Sequence, residues 1–147
     1  MKGYQHILLA ADFSDGGPAV AERAQELSRH YQARLTLLHV VESFPIVDST
    51  YGPIMPFEID LTEQMVSVAK TRIGSLGEQL GVPEDHRLVE VGSAKVEIVR
   101  IADEQGADLI VLGSHGRHGV GLLLGSTASS VIHHASCDVL AVRLKAD

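Results

Sequence analysis

Short apolar runs alternate with helical patterns along the whole chain, and this alternation constrains the fold more than any other feature. The runs cover residues 7–11, 35–41, 88–91, 108–112 and 139–142. Most of them are continuous rather than alternating, which is typical of strands covered on both faces of a sheet. Five such strands with crossover helices predict an open, doubly wound, mostly parallel α/β sheet, built by one domain over residues 1–147.

Between the runs, apolar residues recur at spacings of three and four, which predicts helices. The first stripe is Val20, Ala24, Leu27 and Tyr31, and the second is Met65, Ala69, Ile73, Leu76 and Leu80. Shorter stripes pair Val99 with Ala102 and Val131 with Ala135. Ser14 and Asp15 are predicted to cap the first helix, the segment 81–83 to end the second, and Gly106 to end the third.

The connection over residues 43–58 has no period and carries three prolines and three aromatic residues. A connection of this length in a compact domain acts as a lid or contact surface, or it is a variable, solvent-exposed segment. The sequence favours neither interpretation.

Composition and charge exclude several classes of protein. The chain has 147 residues, 45% of them apolar and 21% charged, as in folded globular proteins. Twelve Lys and Arg against nineteen Asp and Glu give a net charge of −7, and the basic residues are scattered. Binding to nucleic acid draws on clustered cations, so no nucleic-acid partner is expected.

No apolar run approaches the roughly 20 residues that a membrane span needs, and the N-terminus lacks the pattern of a secretory signal. The single cysteine, Cys137, excludes an internal disulfide and suits a reducing compartment. We therefore expect a cytoplasmic protein with no membrane partner.

The glycine-rich stretch from Gly113 to Thr127 carries the functional signal. It follows an apolar run and precedes an amphipathic segment at residues 128–135. Glycine lets the backbone approach an anion closely, and the first N–H groups of a helix have no internal acceptor. This arrangement predicts a small domain that binds or senses a nucleotide.

Several motifs together resemble one family. They are Ala11-Asp12-Phe13-Ser14, Leu38-His39-Val40-Val41, Gly92 before the third helix, the segment 107–116 leading into Leu124-Gly125-Ser126-Thr127, and the segment 137–143. In order and spacing the chain closely resembles the universal stress protein (UspA-type) family over essentially its whole length. The resemblance implies a five-stranded sheet of order 3-2-1-4-5, a homodimer and a role in the stress response. One branch of the family binds ATP or AMP, and another branch does not.

For the nucleotide-binding branch, the resemblance implies roles for particular residues. Asp12 matches a residue beside the base and ribose, and Val41 matches one that offers its backbone to adenine. The residues that match the ribose and phosphate contacts are Gly113, Gly116, Gly125 and Ser126. Thr127 adds a second hydroxyl at the helix start. The expected ligand is ATP or AMP, with or without Mg²⁺.

Arg117 is the one permanent cation in the glycine loop, and it is either a phosphate partner or a solvated residue. Asp12 likewise has an alternative role as a cap of the first helix.

One departure from the pattern leaves the function open. The nucleotide-binding branch has nine residues between its second glycine and its Gly-Ser or Gly-Thr pair, whereas Gly116 and Gly125 enclose eight. A missing residue shifts a chain end by up to ~3.5 Å, which exceeds the tolerance of a hydrogen bond. The loop is either a re-routed phosphate cradle or a relic. Three hypotheses follow: a nucleotide-binding stress protein, a stress-response interaction protein without a ligand, and a weak ATPase.

The other polar residues point to no metal and no catalytic group. His115 and His118 lack a third ligand, and His133 and His134 project about 100° apart on a helix, where they complement its C-terminal dipole. Cys137 is expected to be a structural thiol. The last strand, Val139 to Val142, lies at a sheet edge in the implied order. Two copies pairing there would form the homodimer, unless Arg143 and Lys145 blunt that edge.

Overall fold

A computed structural model of the protein describes residues 3–42, 56–115 and 124–144. The strands are β1 (His6–Ala10), β2 (Arg34–Glu42), β3 (Arg87–Gly92), β4 (Leu109–Gly113) and β5 (Asp138–Val142). The helices are α1 (Gly17–Tyr31), α2 (Pro56–Leu80), α3 (Ala94–Gln105) and α4 (Ser126–His134), and a 3₁₀ turn, Glu84–His86, precedes β3. Each predicted run therefore lies within one residue of a strand.

The strands form one sheet of order β3-β2-β1-β4-β5, and every neighbouring pair is parallel. This is the order that the resemblance implied. The central strand β1 pairs on both sides, so that Ile7 lies opposite Leu35 on β2 and Leu109 on β4. Strands β3 and β5 form the two edges.

Helices cover both faces of the sheet and explain the continuous apolar runs. Successive side chains of a strand point to opposite faces. On β1, Ile7 and Leu9 belong to the core beneath α1 and α2, and Leu8 belongs to the core that includes residues of α3 and α4. All three are at most 1% exposed. Both faces of β1 are buried, so the prediction of a sheet covered on both faces is confirmed.

The predicted helix ends are correct at two of three places. Gly81 and Gly106 follow α2 and α3 in the left-handed conformation, with φ of +69° and +70°. The prediction for α1 is wrong: its N-cap is Gly16, and no side chain caps it. The hydroxyl of Ser14 donates to Asp12 instead, and the proline in the first turn of the helix has no N–H to be capped.

Helix α2 begins before the end of the connection predicted over residues 43–58. Its first residue is Pro56, so residues 56–58 are helical rather than part of the connection. Residues 43–55 lie outside the described residues. In the described ranges no helix, α2 included, is long and apolar enough to cross a membrane.

A buried polar cluster closes the amino-terminal end of the sheet. His6 is 4% exposed, and its Nδ1 donates to the carbonyl oxygen of Gln105 at 2.9 Å. Because a carbonyl only accepts, Nδ1 carries the proton, and Nε2 accepts from the hydroxyl of Thr36 at 2.7 Å. His86 Nδ1 lies 3.4 Å from the same hydroxyl. Burial, with a smaller contribution from Arg34, lowers the pKa of His6.

This lowered pKa makes the stability depend on pH. Below the ordinary histidine pKa of 6.5, the unfolded chain takes up a proton at His6 that the folded protein resists. The contribution of His6 to stability is therefore complete above that pH and declines as the pH falls through 6.5 towards the folded pKa. We expect the urea midpoint to drop over this range.

Replacing His6 by asparagine keeps a donor for Gln105 but removes the titrating group. The His6→Asn variant should lose part of the pH dependence of its urea midpoint between pH 8 and 5. His133, which is exposed on α4, offers the matched His133→Asn control, which should keep the dependence. Identical pH profiles for the two variants would show that His6 is not the responsible group.

Candidate functional site

A cleft of about 850 Å³ opens at the carboxyl ends of β1, β2 and β4. The strand order explains its position. Strands β1 and β4 are neighbours, yet α1 follows β1 onto one face and α4 follows β4 onto the other. Where two crossovers diverge in this way, the chains separate and leave a crevice above the strand ends.

The cleft brings together six of the eight residues that the sequence singled out. Those that line it are Asp12, Val41, Gly113, Gly125, Ser126 and Thr127. Asp12 and Gly113 are about a hundred positions apart in sequence. Asp12 follows β1 and Gly113 ends β4, and these two strands are neighbours in the sheet. The other two, Gly116 and Arg117, lie outside the described residues, as does His118.

Asp12 presents a carboxylate in the turn after β1. Its Oδ1 accepts from the backbone N–H and the hydroxyl of Ser14, at 3.0 and 2.8 Å. These bonds brace the turn, and they do not cap α1, so the alternative role of Asp12 as a helix cap is wrong. The side chain stays exposed, and within the described residues Oδ2 has no hydrogen-bond partner. One carboxylate oxygen therefore braces the turn, and within the part of the chain that the structure describes the other oxygen is left for a ligand in the cleft that Asp12 lines.

Three further residues, to which no sequence motif assigned a role, organise this side of the cleft. Phe13 has a φ of +58°, which is rare for a bulky residue. Its ring lies 4.8 Å from that of His39 on β2, and the guanidinium of Arg72 on α2 lies 5.8 Å above it. Of these three residues, His39 is the one that the sequence could have pointed to, since it is a polar residue inside an apolar strand.

Ser114 ties the glycine turn to two other segments. Its N–H donates to Val142 at the end of β5, at 2.8 Å, and its hydroxyl accepts from the N–H of Leu144 at 3.3 Å. Its carbonyl accepts from the N–H of Gly125 at 2.6 Å. The start of α4 is therefore held against the end of β4, although the loop between them is one residue shorter than in the nucleotide-binding pattern.

Gly113 lies in a tight space at the floor of the turn. A Cβ there would lie 3.3 Å from the carbonyl oxygen of His115 and 3.4 Å from side-chain carbons of Leu144 and Val20. The distance to the His115 oxygen is shorter than most real Cβ contacts, so that carbonyl would have to shift by a few tenths of an ångström, whereas the other two are near ordinary van der Waals contact. The glycine allows the turn to follow the strand end closely.

Helix α4 points the free donors of its first turn towards the same space. Its first internal hydrogen bond runs from Ser129 N–H to Gly125 C=O at 2.9 Å. The amides of residues 126–128 lie ahead of that bond, where a helix has no acceptor for them. No acidic residue lies in this first turn, and no side chain caps it. Neither the first turn of α4 nor its N-cap residue therefore carries a negative charge that would offset the positive end of the helix dipole.

The structure changes one expected role. The N–H of Gly125 is occupied by Ser114 and is not a free donor. The available amides at this helix end are those of residues 126–128, one position further along the chain.

Helix α2 supplies an apolar wall. Leu61, Met65 and Val68 line the cleft and are 55%, 45% and 52% exposed. The spacing places Met65 in the core stripe of α2, and this is wrong, since of that stripe Ala69 and Ile73 are buried and Leu76 and Leu80 half-buried. The exposure of Met65 follows from its position, because it faces the cleft rather than the sheet.

Of the other polar residues considered as ligands, His115 lines the cleft, whereas His133, His134 and Cys137 do not. Within the described residues, no group of three or more His, Cys, Asp or Glu side chains is placed to hold a metal. His133 and His134 lie in the last turn of α4, as predicted. Cys137 is half-buried, and burial raises the pKa of its thiol, helped by the carboxylates of Asp103 and Asp138.

Comparison with known proteins identifies the family. The family model described as "Universal stress protein family" matches residues 3–143. The chain belongs to that family. Universal stress protein A homolog 2 of Coxiella burnetii is 44% identical over 147 residues, which cover 99% of each chain.

Solved structures show the same fold. The hypothetical protein MJ0577, the subject of a structure-based assignment of biochemical function, superposes with a TM-score of 0.82 at 28% identity, over 98% of this chain and 99% of that one. A universal stress protein crystallised in complex with cAMP superposes with a TM-score of 0.62 at 24% identity, over 95% of this chain and 96% of that one. One solved structure with this fold is therefore a complex with a cyclic nucleotide.

Proposed function

We propose that the protein binds ATP or AMP in the cleft above β1 and β4 and acts as a homodimeric stress-response regulator. One observation carries the proposal. The bond from Gly125 N–H to Ser114 C=O brings the start of α4 back to the end of β4, so that the free amides of residues 126–128 and the carboxylate of Asp12 line the same cleft.

The phosphates fit the α4 end of the cleft. A chain with a net charge of −7 gives an anion no general attraction, so an anion needs a local site. Free amides at a helix start and the hydroxyls of Ser126 and Thr127 provide such a site. Gly116 and Arg117 remain predicted contributors from the loop that follows β4.

The nucleoside fits the opposite end. The Oδ2 of Asp12, for which residues 3–42, 56–115 and 124–144 supply no donor, suits a ribose hydroxyl or an exocyclic amine, both of which donate hydrogen bonds. Val41 lies at the end of β2, and the exposed side chains of Leu61, Met65 and Val68 provide an apolar wall for a flat base. A volume near 850 Å³ lies within the range of about 300–1,000 Å³ that is usual for small-molecule sites.

Calorimetric titration of ligand-stripped protein with ATP and with AMP, each with and without Mg²⁺, tests the proposal. We expect saturable binding with one nucleotide per chain. Gentle purification should also yield excess absorbance at 260 nm and a nucleotide mass in the extract. A protein that fails to saturate at millimolar nucleotide would instead be an interaction protein without a ligand.

The homodimer is proposed to form through β5. This strand is a sheet edge, and its segment 139–142 is entirely apolar, whereas the other edge strand, β3, carries Arg87 and Glu90. Residues 139–142 are only half-buried in the single chain. An unprotected apolar edge pairs readily with its own copy across a twofold axis.

A charge on this edge should break the dimer. Ala141 lies within β5 and is half-buried, so we expect Ala141→Lys to convert a dimer of twice 15.8 kDa into a monomer in light scattering coupled to gel filtration. Val91→Lys places the same charge on the opposite edge and should leave the dimer intact. A dimer that survives the first change but not the second would place the interface on β3.

A further inference from the structure

We infer that His39 is a positioning residue for nucleotide binding, which holds the turn around Asp12 so that its carboxylate faces the cleft. The inference rests on the proposed function. It assigns a role to a side chain that neither the glycine turn nor the helix dipole explains.

The first contact is a hydrogen bond to the residue before Asp12. His39 Nδ1 lies 2.6 Å from the carbonyl oxygen of Ala11, and since that oxygen only accepts, Nδ1 carries the proton and donates. The N–H of Ala11 in turn donates to Leu38, the neighbour of His39 on β2, at 2.8 Å. Ala11 is therefore held to β2 through both its amide and its carbonyl, just beyond the last residue of β1.

The second contact is with the residue after Asp12. Phe13 has a φ of +58°, and its ring lies 4.8 Å from the imidazole of His39. A bulky side chain is strained in this region of backbone conformation, and the conformation persists only where its surroundings hold it. The His39 ring on β2 and the Arg72 guanidinium on α2 both contact the Phe13 ring and hold it in this conformation.

One imidazole thus fixes both chain neighbours of Asp12. The carboxylate itself is exposed, and among the described residues its hydrogen bonds go to Ser14, inside the same turn. Its direction depends on the path of residues 11–14, and His39 anchors that path to β2. Fixing a binding group before the ligand arrives removes an ordering cost from association.

His39 also lines the cleft, so a direct contact with the nucleotide must be separated from an action through Asp12. A double-mutant cycle does so, because a residue that acts through another has no effect once the other is gone. Leucine removes the donor at similar size, and asparagine keeps a donor at the position of Nδ1.

The experiment measures the dissociation constant for ATP by calorimetry for the wild type, His39→Leu, His39→Asn and Asp12→Ala. It also measures Asp12→Ala combined with His39→Leu, and the exposed-helix control His133→Leu. We expect His39→Leu to weaken binding about tenfold alone but less than about twofold in the Asp12→Ala background, which is the signature of coupled residues. His39→Asn should stay within about threefold of the wild type, because it keeps the donor to Ala11. His133→Leu should bind as the wild type does.

Equal losses from His39→Leu in both backgrounds would overturn the inference and indicate a direct or general structural role. So would a His39→Asn variant as weak as His39→Leu. Amide NMR shifts of Asp12 and Phe13 in the ligand-free protein provide a readout that needs no nucleotide. These shifts should change in His39→Leu and return to the wild-type values in His39→Asn. If the wild type does not bind ATP, the proposed function is wrong, but the amide shifts still show whether His39 positions the turn.

Discussion

Ser126→Asp is expected to weaken ATP binding on the order of a hundredfold while leaving the protein at least as stable as the wild type. Ser126 is the exposed first residue of α4 and lines the cleft. A carboxylate about 5 Å from a phosphate costs roughly 3 kcal/mol per unit charge at an effective dielectric constant near 20. The same carboxylate favours the helix dipole by about 0.3–1 kcal/mol. Affinity and stability therefore move in opposite directions, which ordinary structural damage does not produce.

The matched control is Ala19→Asp. Ala19 is exposed in the first turn of α1, a helix that also lacks an acidic residue there, and it does not line the cleft. Both variants add one negative charge at a helix start. Calorimetry should show an unchanged dissociation constant for Ala19→Asp. Equal weakening in both variants would mean that net charge alone acts, and no weakening in Ser126→Asp would remove α4 from the phosphate site.

Ile110→Ala is expected to destabilise the protein by about 3 kcal/mol, from the usual range of roughly 2–5 for a buried isoleucine. Ile110 is completely buried on β4, in the core with Leu8 and Val131. For a domain of this size the melting temperature should fall by about 10 °C. The position joins the sheet to the face that carries α4, so the loss measures the packing beneath the proposed phosphate site.

Ile132 offers the same substitution on the surface. It is 45% exposed on α4, next to the fully buried Val131. Ile132→Ala should lower the free energy of unfolding by less than about 1 kcal/mol, because the exposed side chain buries little apolar surface that the substitution could remove. Chemical denaturation of both variants makes the comparison. A similar loss in the two variants would contradict the assignment of the core between the sheet and α4.

The fold was predictable because its signal is repeated along the chain. Five apolar runs and the glycines at 81 and 106 agree on where strands and helices lie, and each was confirmed to within a residue or two. The α1 cap was not predictable in the same way. Ser14 has two possible partners for its hydroxyl, and the choice of Asp12 over the helix depends on the turn that packing imposes.

The site was predictable in its residues and not in its geometry. Residues 12, 41, 113 and 125–127 were named from motifs, and they line one cleft because parallel strands end at one edge. The hydrogen bond from Gly125 N–H to Ser114 C=O depends on the tertiary structure, and no local sequence pattern predicts it. The partnership of Phe13, His39 and Arg72 joins three elements, so no periodicity within one element reveals it.

Titration of ¹⁵N-labelled protein with ATP tests the central claim most directly, because each backbone amide reports on its own surroundings. Ligand at the cleft should shift the amides of residues 12–14, 113–114 and 126–128. The amides of His6 and Asp108, at the opposite end of the sheet, should stay in place. Shifts confined to that opposite end, or no shifts at millimolar ATP, would contradict the account.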